Sequence, residues 1–150
     1  MDIQKEQLVD TVMELDALIR DYFARTKAQE GIPPLRMNWK FYTDLAVANR
    51  LAVFTARTDD GALIGFAMYI LGHHPQHGGM PFAMCNTLAV DVSHRNQGVG
   101  TLLVVAALAY FKDHMDIKMV MHGYRTIYDA EPLFPKLGFD LIEHIYMKVL

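Results

Sequence analysis

The chain has 150 residues, 52% of them hydrophobic and 21% charged, with a formal net charge of −3. This describes one domain, residues 1–150, with a core of ordinary size, and it excludes a fibrous or low-complexity chain. The net negative charge argues against a general electrostatic grip on nucleic acid. The longest apolar run, Leu102–Phe111, falls short of the ~20 residues a membrane span needs.

The N-terminus, Met1-Asp2-Ile3-Gln4-Lys5-Glu6, is polar and does not read as a signal peptide. The single Cys85 has no partner for an internal disulfide, so a reducing, cytoplasmic setting is expected. Leu8, Val12, Leu15, Ile19 and Tyr22/Phe23 recur at three and four residues and predict an amphipathic helix over residues 3–28. Gly31 and Pro33-Pro34 stop it. A second helix, about 38–48, is capped by Asn38 and turns Phe41, Leu45 and Ala48 to one side.

Leu51–Arg57 reads as a strand, Asp59-Asp60-Gly61 as a hairpin turn, and Ala62–Leu71 as the returning strand, with Gly65 placed at a bulge. A loop over residues 72–79 carries His73, His74 and His77. Adjacent histidines point apart in regular structure, and no Cys or close carboxylate completes a ligand set, so no metal site is assigned there. Phe82–Val92 is the next strand, an Ala- and Leu-rich helix covers about 99–114, and Ile117–His122 is a strand after it. Strand, crossover helix and strand imply a parallel pair. A short, proline-interrupted helix is expected between Tyr124 and Lys136, ended by Gly138, and a last strand or hairpin over Phe139–Leu150. The fold class is therefore α/β: a mixed, mostly antiparallel sheet with helices on both faces.

The chemistry centres on Leu88-Ala89-Val90-Asp91-Val92-Ser93-His94-Arg95-Asn96-Gln97-Gly98-Val99-Gly100-Thr101. Leu88, Val90 and Val92 alternate as a half-buried strand does. A tight polar loop follows, and then a helix begins. The first N–H groups of a helix have no internal partner and carry partial positive charge, so they attract phosphate. Gly98 and Gly100 let a ligand approach the backbone, and Arg95 adds a fixed cation. The loop is neither a nucleoside-triphosphate P-loop nor a dinucleotide fingerprint.

This segment resembles motif A of the GNAT acetyltransferase superfamily, through Leu88, Val90, Arg95, Gly98 and Gly100. Leu133-Phe134-Pro135-Lys136-Leu137-Gly138-Phe139 is similar to the family's C-terminal Tyr-x-Lys-Leu-Gly-Phe segment. The closing Glu143–Leu150 also looks like the end of small phage-carried proteins of this type. The resemblance implies acetyl-coenzyme A (acetyl-CoA) as co-substrate, with no metal. It implies its pyrophosphate on the backbone N–H groups of Gln97, Gly98, Val99, Gly100 and Thr101, with Arg95 and Asn96 also cofactor-binding, and its pantetheine arm along Leu88, Ala89 and Val90, where the family's sheet splays. An N–H near Leu88 would then stabilise the oxyanion. The two N-terminal helices would flank the acceptor entrance.

The chain departs from the family where acid–base residues are expected. Phe134 stands in place of a tyrosine acid, Ile127 in place of a pantetheine-contacting asparagine, and Phe82–Asn86 holds no glutamate. Tyr128 falls on another face of a helix from Phe134. His122, at a strand end, is the candidate base, against a purely structural role. Tyr124 is the candidate acid, with Tyr146 behind it, against packing with a hydrogen-bonded tip. Asp91 reads as a solvent- or loop-facing carboxylate and Cys85 as a buried thiol. Three readings stand: an acetyl-CoA-dependent N-acetyltransferase acting on a primary amine; a coenzyme A-binding module with weak or no catalysis; and a transferase whose acceptor is a nucleobase-derived amine or a protein lysine. A homodimer is compatible with the sequence.

Overall fold

A computed structural model describes residues 1–25, 31–124 and 133–150. Its five strands form one sheet in the order β1 (Asp2–Glu6), β2 (Leu51–Arg57), β3 (Leu63–His74), β4 (Met80–Val90) and β5 (Met119–His122). The pairs from β1 to β4 are antiparallel, and β4–β5 is parallel. The mixed sheet and its parallel pair follow the sequence reading. Helices α1 (Leu8–Arg25) and α2 (Trp39–Val47) cover one face, and α3 (Val99–His114) covers the other. Helix α4 (Leu133–Lys136) sits beside β5 through Phe134, whose ring lies 5.2 Å from that of His122. Among the described residues, no helix is long and apolar enough to cross a membrane.

Each face has its own core. Leu15, Ile19, Tyr42, Val53, Phe66, Met68 and Ala89 close the α1/α2 side. Phe54, Tyr69, Cys85, Leu103, Ala107 and Phe111 close the α3 side. Local chemistry sets several boundaries. Asn38 Oδ1 accepts from the Phe41 N–H at 3.2 Å and starts α2. Gly61, at φ 89°, turns the β2–β3 hairpin. At Gly65 a Cβ would lie 3.1 Å from the Ala89 carbonyl and 3.2 Å from Val99. That glycine therefore lets α3 press onto the sheet.

The structure corrects four expectations. Residues 2–6 form β1, not the start of the helix: they pair with Val53–Arg57, and Glu6 takes Arg57 at 2.7 Å. Sheet pairing here overrides the good helix propensity of Gln4, Lys5 and Glu6. Gly72, His73 and His74 continue β3 instead of opening a loop, because they pair with Phe82, Pro81 and Met80. The break in the β2–β3 register falls between Ala56 and Arg57, opposite Ile64, one residue before Gly65. Residues 139–150 hold no strand; they make no sheet pairing and are largely exposed. Ile127 and Tyr128 lie outside the described residues, as does most of the helix expected between Tyr124 and Lys136.

Candidate active site

The site begins with a bulge. Met68 pairs with Thr87 while Tyr69 pairs with Cys85, so Asn86 is the extra residue in β4. The bulge shifts the alternation of the strand. Before it, Ala83 and Cys85 face α3; after it, Leu88 and Val90 do, and Ala89 turns to α1 and α2. The Tyr42 hydroxyl of α2 donates to Asn86 Oδ1 at this point. Burial raises the Tyr42 pKa, so the hydroxyl keeps its proton. Neither Tyr42 nor Asn86 stands out in the sequence. The one signal is a polar pair, Asn86-Thr87, inside an apolar strand.

Beyond the bulge, β4 has no parallel partner among the described residues. β5 pairs with β4 only over Phe82–Cys85, ending at Cys85 opposite His122. The Asp91 N–H bonds the Ile64 carbonyl at 2.9 Å, so residues of its parity, Ala89 and Thr87, aim their backbone groups at β3. Leu88 and Val90 aim theirs at the open edge. The Val90 carbonyl there accepts from Arg95 Nε at 3.1 Å. Of the three predicted strand contacts, Leu88 and Val90 thus turn backbone groups away from β3, and Ala89 packs on the α1/α2 side.

The loop after β4 is tightly tied. Asp91 Oδ1 accepts from the Ser93 N–H at 2.9 Å and from the Ser93 hydroxyl, and it lies 3.2 Å from His94 Nδ1. These bonds, the Ser93 hydroxyl first, hold the Asp91 carboxyl below the usual range. Asn96 takes a left-handed φ of 60°, and Gln97 Nε2 donates to the Ser93 carbonyl at 2.9 Å. Arg95 lies with its guanidinium carbon 5.1 Å above the Tyr22 ring, which couples the loop to α1.

Gly98 caps α3 at φ 81°, a conformation that disfavours any side chain. The first helical bond runs from the Leu102 N–H to the Gly98 carbonyl at 2.9 Å. The N–H groups of Val99, Gly100 and Thr101 precede it and have no helical acceptor. At Gly100 a Cβ would meet nothing closer than Val90 at 3.9 Å. Nothing in the fold itself demands glycine there. A ligand lying against that backbone would, so the loop fits a pyrophosphate.

Two of the predicted catalytic residues, His122 and Tyr124, meet the same ring, that of Phe134. His122 Nε2 meets the Tyr69 hydroxyl at 3.0 Å, and its ring lies 5.2 Å from Phe134 and 5.2 Å from Phe139. Its Nδ1 is buried and has no partner among the described residues. Burial lowers its pKa from 6.5 to about 4. Its strand partner Cys85 precedes Leu88 by three residues, about 10 Å along a strand. Tyr124 stacks on Phe134 at 5.8 Å. Tyr146 is 94% exposed. Burial pushes the Cys85 thiol up to about 12. The rings of His74 and His77 pack at 4.5 Å, and among the described residues no three His, Cys, Asp or Glu side chains cluster as metal ligands.

No curated protein matches the chain by sequence. Solved structures do match its fold. Ribosomal-protein-alanine N-acetyltransferase from Brucella melitensis biovar Abortus 2308 superposes with a TM-score of 0.73 at 16% identity, over 100% of both chains. An aminoglycoside acetyltransferase from an uncultured soil metagenomic sample, solved with sisomicin, gives 0.71 at 19% identity, over 99% of this chain and 96% of its own. Glucosamine-6-phosphate N-acetyltransferase from Arabidopsis thaliana gives 0.71 at 11% identity, over 99% and 97%. The model of the acetyltransferase (GNAT) family matches residues 14–139, and the chain belongs to that family.

Proposed function

We propose that this N-acetyltransferase moves the acetyl group of acetyl-CoA to a primary amine by direct attack, with the co-substrate held along the open edge of β4 and on the first turn of α3. The observation that carries the reading is the open edge itself. Leu88 and Val90 turn backbone groups outward where β4 and β5 separate, and the edge runs into a glycine cradle with three unbonded N–H groups. Acetyl-CoA supplies an activated thioester. The N–H groups of Val99, Gly100 and Thr101 bind its pyrophosphate, and Arg95 fixes the loop that shapes the cradle. The Leu88 N–H faces the charge that develops on the thioester oxygen.

His122 takes a positioning role. A histidine with a pKa of about 4 is a weak base at neutral pH, and its ring is enclosed by aromatic side chains. Catalysis then rests on orientation, with solvent taking the amine proton at the open side of the sheet. The acceptor approaches beside α1 and α2, near Tyr42 and Asn86. By their names, the similar structures act on a ribosomal protein's alanine, an aminoglycoside and glucosamine-6-phosphate, so one fold serves unlike amines.

The test is calorimetric titration with acetyl-CoA, with adenosine diphosphate for comparison, followed by an amine screen. Acetyl-CoA binding in the micromolar range together with turnover of an amine is expected. No binding to folded protein would overturn the reading. Phe134, buried where the family's tyrosine acid is expected, favours a second reading: a coenzyme A-binding module without efficient catalysis. Binding with background turnover on every amine would select it.

A further inference from the structure

We propose that the acceptor is a monoamine carried on an uncharged apolar body, which lies on a floor made by Phe82, Met84 and Met121. The inference rests on the acetyl-transfer reading and names the amine that site takes. Register puts the three side chains on the face of α1 and α2. Met84 pairs with Ile70, which packs in the core under those helices, and Phe82 pairs with Gly72 two residues along. Across the parallel pair, Met121 stands opposite Met84. Their neighbours Ala83, Cys85 and Val120 take the other face, against α3. Among the described residues, the core under α1 and α2 takes in Met68, Ile70 and Ala89 and stops short of Phe82, Met84 and Met121. All three are half-buried.

The floor is continuous with the candidate site. Met84 precedes Asn86 by two residues, about 7 Å along the strand. There the Tyr42 hydroxyl meets Asn86, and Phe41, 47% exposed, holds its ring 5.5 Å from that of Tyr42. Two residues the other way, the Phe82 ring lies over Gly72, where a Cβ would come within 3.2 Å of it. From Asn86 to Phe82 the row runs about 13 Å. Methionine side chains at its centre adapt to apolar ligands of different outline.

Charge completes the choice. Residues 80–90 and 119–122 contain no aspartate or glutamate. On α1 and α2, Asp16, Asp21 and Asp44 are each paired with a basic residue of their own helix. At the far end of the row, Arg50 Nη2 would lie 3.5 Å from a Cβ at Gly72. A polyamine would meet that cation there, and neither strand offers a carboxylate for its second charge. An apolar floor also suits a site without a strong base. Desolvation favours the neutral amine over the ammonium, so the nucleophile reaches the thioester uncharged. Its nitrogen bonds the acetyl carbonyl carbon, and the C–S bond breaks with its electron pair on the coenzyme A sulfur. The amine proton leaves to solvent, and the sulfur gains one.

Alkylamines from propylamine to hexylamine test this at saturating acetyl-CoA, with spermidine and glucosamine-6-phosphate for comparison. The expected kcat/KM rises about two- to fourfold per added methylene, and hexylamine exceeds both comparisons by about tenfold or more. A flat series would overturn the inference, as would faster turnover of spermidine or glucosamine-6-phosphate. If turnover stays at background, calorimetric titration of the same amines into the coenzyme A-loaded protein reads the series as Kd, with the same outcomes. Met84→Gln with Met121→Gln keeps side-chain size and is expected to flatten the series while acetyl-CoA affinity holds at the wild-type value. An unchanged slope in the folded variant would take the amine off this floor. Failure of acetyl-CoA to bind would overturn the acetyl-transfer reading and this inference with it. A flat series over normal acetyl-CoA binding overturns the choice of acceptor alone.

Discussion

The Tyr69 hydroxyl of β3 meets His122 Nε2 of β5 at 3.0 Å, reaching past β4 on the α3 face of the sheet. The pair sits at the closed end of the splay, where the parallel ladder stops at Cys85 and His122. Aromatic rings surround the imidazole, and burial keeps it neutral.

The neutral imidazole makes stability depend on pH. Folded His122 titrates at about 4 and an unfolded histidine near 6.5. Above 6.5 neither state holds the proton, so His122 adds no pH dependence there. As pH falls from 6.5 toward 4 the unfolded chain takes up a proton that the folded chain refuses, and stability declines through that window. The full loss is on the order of 3 kcal/mol. Denaturant melts across this range should show the decline, and His122→Phe should flatten it. An unchanged slope in the variant would mean that the ring is solvated. At neutral pH the same variant should keep its acetyl-CoA affinity.

The two cradle glycines should behave differently. Gly98 has a left-handed φ of 81°, so Gly98→Ala strains the cap of α3 and is expected to cost about 1 kcal/mol. Gly100→Asp sets its Cβ at an ordinary contact of 3.9 Å from Val90 and puts an acid at a helix N-terminus, so the fold should be at least as stable as wild type. The same substitution should abolish acetyl-CoA binding, by bulk and by like charge. Thermal melts with calorimetry on both variants separate the effects. Normal affinity in folded Gly100→Asp would remove the loop from the site.

Gly65 connects the sheet to the cradle. A Cβ there would sit 3.1 Å from the Ala89 carbonyl, 3.2 Å from Val99 and 3.3 Å from Leu103. Overpacking of this kind costs about 1–3 kcal/mol. Because Val99 begins α3, Gly65→Ala should lower the melting temperature and weaken acetyl-CoA binding together. A loss of stability with unchanged affinity would show that the helix start does not move.

These features differ in how far the sequence announces them. Asn38, the Asp59-Asp60-Gly61 turn and Gly98 act within a few residues, so their chemistry is legible locally. The open edge at Leu88 and Val90 follows once the parallel pair is recognised. β1 is not legible, because its residues favour helix until β2 and Arg57 are beside them. Residues 139–150 fail the opposite way: the strand pattern is plain, and the chain's own sheet does not take it up. The Asn86 bulge has only a faint local sign, the polar pair Asn86-Thr87, since a register shift belongs to two strands at once. Tyr42 becomes relevant only through that bulge.

The bulge supports a last prediction. Asn86 sets the phase of β4, and so decides that Leu88 turns its backbone to the open edge. The Tyr42 hydroxyl holds Asn86 from α2. Tyr42→Phe keeps the ring in its core and leaves an exposed amide that water can satisfy, so the stability cost should stay near 1 kcal/mol. A looser bulge holds the Leu88 N–H less firmly, and that matters most where charge develops. The expected result is kcat lower by about tenfold, or roughly 1.4 kcal/mol of barrier, with acetyl-CoA affinity unchanged. The cradle lies beyond Val90 and does not depend on Tyr42. Asn86→Ala should give the same split between kcat and affinity. Equal losses in both would mean that the bulge shapes the whole binding edge, and unchanged kcat would take Tyr42 out of the catalytic geometry.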